Sequence, residues 1–336
     1  MELKDTLFAL TGADFLGGSG DAKNVIKEIA SQYAPTEELK DGGIVATLKG
    51  KTDYTLLFEA HYDQIGFVVT EVLEGGFVRV GNAGGIDPRI LPSTRVKIYG
   101  KEVVKGVFTS VPPHLKKEDE TAPDLSCLSI DTGLTDNVSD IISLGDRVVF
   151  DAPPVMLGND TVNAASLDDR AGCAALLWAL ENLSDKELAV TVKFLFADKE
   201  ELGMRGAVTS AFNIELDEAV AVDVSFGDTP GVPSYQTGKM GGGAMICHSP
   251  ALTKSVVDGL FEASKDLVVQ PEVTGGRTGT DIDVISISRG GVKSGLVSVP
   301  QRNMHTPAET VRISDVKSVA DVLINYALNH KGGAVK

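Results

Sequence analysis

The chain is short of three things: paired cysteines, basic charge and long apolar runs. Cys127, Cys173 and Cys247 are odd in number, widely spaced and never in a CxxC pair, so neither a disulfide framework nor a thiolate zinc site is implied. A reducing cytoplasm fits that usage. The 31 basic residues stand against 47 acidic ones, and the net charge of -16 disfavours nucleic acid and anionic membranes as partners. No stretch approaches the length of a membrane span, and the amino end (MELKDTLFALTGADFLGG) holds only a short apolar run. We therefore expect a cytoplasmic protein, neither exported nor anchored.

What is present is an α/β pattern broken by a β-only stretch. A chain of 336 residues can carry one large core plus a smaller domain. Val25, Ile26, Ile29 and Ala30, behind Ser19 or Asp21, predict an amphipathic opening helix over Asp21 to Tyr33. Between residues 67 and 157 the texture changes to short alternating runs cut by glycine (FVVTEV, GGFVRVG, TRVKIYG, KEVVKGVFTS, DRVVFDAPP), which predicts a small antiparallel barrel. Helical patterning returns at Asp169 to Leu183, and helices then alternate with strands up to a last helix over Ser314 to Leu328. The expected architecture is a mixed-sheet α/β domain, residues 1–66 and 158–336, interrupted by a β-barrel at 67–157. The polar, proline-bearing run from Pro112 to Asp124 reads as a surface loop.

Ionisable residues recur where strands should end. Apolar runs precede His61 (TLLFEA), Glu200 (VTVKFLFA), Asp223 (EAVAV) and His305 (GLVSVP), and open α/β sheets gather their sites at such carboxyl ends. His61 and Asp63 form a His-x-Asp pair; alone, a loop histidine would explain it equally well. Asp168 and Asp169 open a predicted helix, where a cap with a salt bridge to Arg170 is the simple alternative, yet a carboxylate can also bridge two cations. Glu200 and Glu201 read either as a solvated acidic loop or as one ligand and one water-holding group. Asp223 lies among small apolar residues, where an unpaired charge costs several kcal/mol, so a cation is its natural partner. His305 fits an ordinary turn as well as a ligand. Two histidines with three carboxylates suit zinc, cobalt or manganese.

In this order the motifs resemble the tetrahedral (TET) aminopeptidases, a family with glutamyl and deblocking aminopeptidases and some members labelled endoglucanases. The likeness runs nearly end to end, through EAHYDQIG, GNAGGIDPRILPSTRV, ISLGDRVVFD, SLDDRAGCAALL, KEELGMRGA, AVDVSFGDTPG, TGTDIDVISISRGGV and SVPQRNMHTPAET. It implies that His61 binds one divalent metal and His305 the other, with Asp168 bridging them and Glu201 and Asp223 completing the shells. Glu200 would be the general base and Asp63 the support of His61, with a cis peptide after Asp168. The metals would be zinc or cobalt, and the barrel would serve dimer contacts in an assembly of up to twelve subunits. Gln64, Lys199 and Arg277 depart from many relatives, at positions that bear on substrate preference rather than chemistry.

The expected activity is removal of N-terminal residues from short peptides by a water activated between two metals, with Glu200 taking its proton. A carboxypeptidase or small-molecule deacylase with the same metal core is the main alternative, and an endoglucanase a lesser one, because its usual mechanism leaves two motif histidines unused. A glutamyl preference needs a cation in the specificity pocket, for which Arg277 is the candidate. His248 and His330 read as surface residues, and His114 as part of the polar loop.

Overall fold

The computed structural model describes residues 2–115 and 124–332. A helix not anticipated from the sequence, Leu3–Gly12, comes first and buries Leu3, Leu7 and Leu10 along one side. Those residues do recur at i, i+4 and i+7, but the run is too brief to stand out beside stronger patterns. The Ala22–Ala30 helix follows, within the predicted span, and buries Ala22, Ile26, Ile29 and Ala30.

The larger sheet has eleven strands. Its centre is a parallel set in the order Lys293–Arg302, Glu218–Phe226, Thr55–His61, Thr191–Ala197. These strands are almost continuously apolar because helices cover both faces. Alternation along each strand feeds two separate cores. Leu56, Phe58 and Ala60 join the core beneath the Leu167–Leu183 and Ile313–Asn329 helices, whereas Leu57 joins Ala207, Ala211, Ile282 and Ile285 on the opposite face. Each large side chain so buried contributes about 1.5–3 kcal/mol.

The inserted unit is a closed barrel of six antiparallel strands, Gly66–Val72, Phe77–Ala83, Arg95–Tyr99, Val103–Phe108, Ile130–Asp131 and Arg147–Phe150. Closure leaves no free edge. Phe67 fills the interior edge-to-face against Phe108 (5.1 Å) and Phe150 (5.6 Å), with Val69, Val96, Ile98 and Val148 around them. The last three residues of the 67–157 run, Val155–Leu157, pair in the larger sheet with Thr161–Ala164. Residues 116–123 of the expected loop lie outside the described residues; before them, Pro113–Leu115 form a short turn with His114 exposed. No helix among the described residues is long and apolar enough to cross a membrane.

Candidate metal centre

Parallel register brings the first side chains together. His61 ends its strand opposite Ala197, three residues before Glu200, and Asp223 lies inside the Glu218–Phe226 strand opposite Ser298. Asp223 is therefore not at a strand terminus; its face of the strand, shared with Ala219 and Ala221, turns from apolar to ionisable there. Asp168 and Asp169 head the Leu167–Leu183 helix with non-helical backbone, joined by a cis peptide bond. His305 follows the Lys293–Arg302 strand in a left-handed conformation, φ 59°.

The carboxylate of Asp168 faces both histidines, Oδ1 at 3.2 Å from His61 Nε2 and Oδ2 at 3.3 Å from His305 Nε2. Glu201 Oε1 lies 3.4 Å from His305 Nε2, and Asp223 Oδ1 lies 4.0 Å from His61 Nε2. Two sets of donor atoms close enough to hold an ion result, His61 with Asp169 and Asp223, and Asp168 with Glu201 and His305. Asp63 spans two elements: its Oδ1 is 3.5 Å from His61 Nδ1 and accepts the backbone N–H of Glu200 at 3.0 Å. His305 Nδ1–H donates to the Gly85 carbonyl at 2.7 Å, which leaves Nε2 to face the carboxylates. The carbonyl comes from the barrel side, where a side chain at Gly85 would come within 3.3 Å of the His305 ring.

The centre holds more acid than base. Burial opposes ionisation of Asp168, but hydrogen bonds to His305 and His61 hold its carboxyl well below the usual range. The same bond to Asp168 lifts His305 to about 9. Burial lowers His61, and its contacts with Asp168 and Asp63 more than reverse that. For the other carboxyls burial outweighs what the histidines offset: it pushes Glu200 up to about 7 and Glu201 up to about 8, and Asp169 and Asp223 well above the ordinary value. Arg170 does not neutralise them. It is fully buried and donates to the carbonyls of Leu10, Ala13 and Tyr62 and to Gln64 Oε1, so the salt bridge weighed for Asp168 does not form. Asp169 Oδ2 is buried with no hydrogen-bond partner among the described residues. Hard oxygen donors beside two imidazoles, with too few protein cations, fit divalent metal ions.

Several residues here were not singled out from the sequence. Glu309 accepts the backbone N–H of Asp168 at 3.1 Å and of His305 at 2.9 Å, tying the two halves of the centre together. It closes the MHTPAE motif, and that spacing was its signal. Glu59 and Asp281 lie buried behind His61, and burial pushes both carboxyls up, Asp281 to about 6. Glu59 interrupts an apolar strand as Asp223 does, so the same cost argument applies to it. Arg277 is corrected: it is 79% exposed, pairs with Asp283 at 3.4 Å and does not line the cavity at the centre. His330 is also not a surface residue, since its Nε2 lies 3.3 Å from the buried Glu218. His248 is exposed, as read, and stacks on Phe261.

The centre floors a cavity of about 1080 Å³, lined by His61, Asp168, Glu200, Glu201, Asp223 and His305 on one side and by Phe226, Tyr235, Met245, Pro271, Glu272 and Met304 among others. A histidine–carboxylate cluster at the rim of a mixed sheet, opening into a large cavity, is the arrangement of a hydrolytic site. The family profile of M42 glutamyl aminopeptidases matches residues 42–322, and the chain belongs to that family. A protein of Acetivibrio thermocellus, provisionally named an aminopeptidase, is 33% identical over 96% of this chain and 98% of its own. A Lactococcus lactis glutamyl aminopeptidase is 28% identical (94% and 93% covered), and a Pyrococcus furiosus lysyl aminopeptidase 26% identical (91% and 90%). Among solved structures, an aminopeptidase of Desulfurococcus kamchatkensis superposes with a TM-score of 0.91 at 28% identity, over 98% of this chain and 95% of its own. The Pyrococcus horikoshii TET1 peptidase, described as assembling into a tetrahedron or a large octahedral shell, does so at 0.85 and 26% identity, over 98% and 100%.

Proposed function

We propose that the protein is a metal-dependent aminopeptidase that releases single residues from the free N-termini of short peptides. The observation that carries this reading is the Asp168 carboxylate set between two histidines, with Glu200 on the same cavity wall. His61 and Asp223, with Asp169 beside them, would hold one divalent ion; His305 and Glu201 would hold the other; Asp168 would reach both. When bound, such a pair supplies Lewis acidity and brings the pKa of a water toward neutrality.

The remaining work falls to the chain itself. Glu200 takes the proton of the attacking water and returns it to the departing amine, a role worth about 10²–10⁴-fold. Its backbone is pinned by Asp63, which also meets His61, so the base and one side of the centre move together. Glu309 fixes the main chain of Asp168 and His305 in the same way. The acidic wall favours the cationic N-terminal amine of a peptide.

Chelation should abolish hydrolysis of an aminoacyl anilide, and added zinc, cobalt or manganese should restore it, while the N-acetylated substrate stays intact throughout. Cleavage that survives complete metal removal would sink the proposal. The same family likeness supports self-association, and Val103, Val107, Val111, Leu115 and Leu144 present exposed apolar surface on the barrel and its loops. We expect a dimer or a larger closed assembly, up to a dodecamer, measurable by light scattering.

A further inference from the structure

We propose that Glu272 makes this enzyme selective for N-terminal lysine and arginine; the inference rests on the aminopeptidase reading above and specifies its substrate. Glu272 sits on the Val269–Val273 strand, which pairs with Ala244–His248, and that strand in turn pairs with Lys293–Arg302. Its two carboxylate oxygens are held separately: Ser225 donates to Oε1, and Ser298 donates to Oε2 at 2.8 Å. Both serines are fixed relative to the metal centre. Ser298 is the register partner of Asp223, and Ser225 lies two residues beyond Asp223 on the same face of its strand, about 7 Å along. The Glu272 carboxylate is thereby anchored to the strand that carries Asp223 and to its neighbour, and it lines the same cavity as the centre.

A carboxylate offers about four acceptor positions, and two neutral hydroxyls occupy only half of them. No lysine or arginine lines the cavity among the described residues, and Arg277 points elsewhere. The cation that completes Glu272 must then come from the ligand. The walls of the same cavity also include Met245, Pro271 and Leu296, apolar surface suited to the methylene stem of a lysyl or arginyl side chain. An acidic first residue would instead bring a second carboxylate beside Glu272 with nothing to neutralise it. Specificity here combines an attraction with a repulsion.

The test uses the full-length, metal-loaded enzyme and the 4-nitroanilides of lysine, arginine, leucine and glutamate. The kcat/KM for lysyl and arginyl substrates should exceed that for leucyl by about 10- to 100-fold, the worth of a hydrogen-bonded charge pair, with glutamyl slowest. Glu272→Gln should lower the lysyl-to-leucyl ratio at least about tenfold, and Glu272→Lys should raise the glutamyl-to-lysyl ratio. A wild-type enzyme that prefers leucyl or glutamyl substrates overturns the proposal and leaves the aminopeptidase reading standing. So does a Glu272→Gln enzyme that loses lysyl and leucyl activity equally, since the residue would then hold the common N-terminal amine. Failure of all four substrates would overturn both readings.

Discussion

The barrel and the α/β body treat buried charge in opposite ways. Between residues 66 and 150 the only buried polar side chain among the described residues is Thr132, and the interior is otherwise aliphatic and aromatic. The α/β body, by contrast, buries Glu59, Asp63, Asp168, Asp169, Asp223, Asp281 and Glu309 around two histidines and an arginine that is bonded elsewhere. One region is complete as folded; the other holds acid that only added cations can balance. The two meet at the Gly85 carbonyl, by which the barrel orients His305.

The largest effects should fall on the unbalanced region. Asp168→Ala removes the one carboxylate that faces both histidines, so metal analysis should find both ions lost and turnover below detection. Glu200→Gln should keep wild-type metal content and lose about 10²–10⁴-fold in kcat. Full occupancy in the Asp168 variant would break the bridging assignment. Metal loss in the Glu200 variant would make that residue a ligand and not a base.

In the barrel the expected loss is one of stability. Phe67→Ala empties the centre of the aromatic cluster with Phe108 and Phe150, at a cost of about 3–5 kcal/mol. The melting temperature should fall, whereas the folded fraction should bind metal with the wild-type stoichiometry. A Phe67 variant that melts normally yet binds no metal would erase the contrast between the two regions.

The two regions also differ in how openly the sequence displayed them. Barrel strands showed themselves through two-residue alternation and glycine punctuation, and only the two-residue Ile130–Asp131 strand was too short to register. The candidate ligands stood out because an Asp or His after an apolar run is costly without a purpose. Glu59 and Asp281 obey the same rule but sit within motifs whose other residues drew the eye. What pattern could not give was contact between distant segments. Glu309 bonding two backbones, Arg170 capping carbonyls and Glu272 held by serines of two strands all depend on register, which no local run of residues encodes.

Glu218 offers the smallest test and the finest one, because it is a buried carboxylate at the far end of the strand that carries Asp223 and has all the partners the centre lacks. Burial would raise its pKa, but His330, Tyr326 and Tyr54 surround it and together hold the group below its ordinary value. A depressed folded pKa means that the ionised form stabilises the native state above the unfolded value of about 4.3 and that this contribution disappears as pH falls through the folded pKa. Glu218→Gln should therefore cost about 1–3 kcal/mol near pH 7, with wild-type metal content. Its melting temperature should converge on that of the wild type only as the pH falls below the depressed folded pKa. If the difference instead persisted undiminished in acid, packing and not charge would be what Glu218 supplies, and a partnered buried carboxylate would no longer serve as the counterexample to the unbalanced ones around His61.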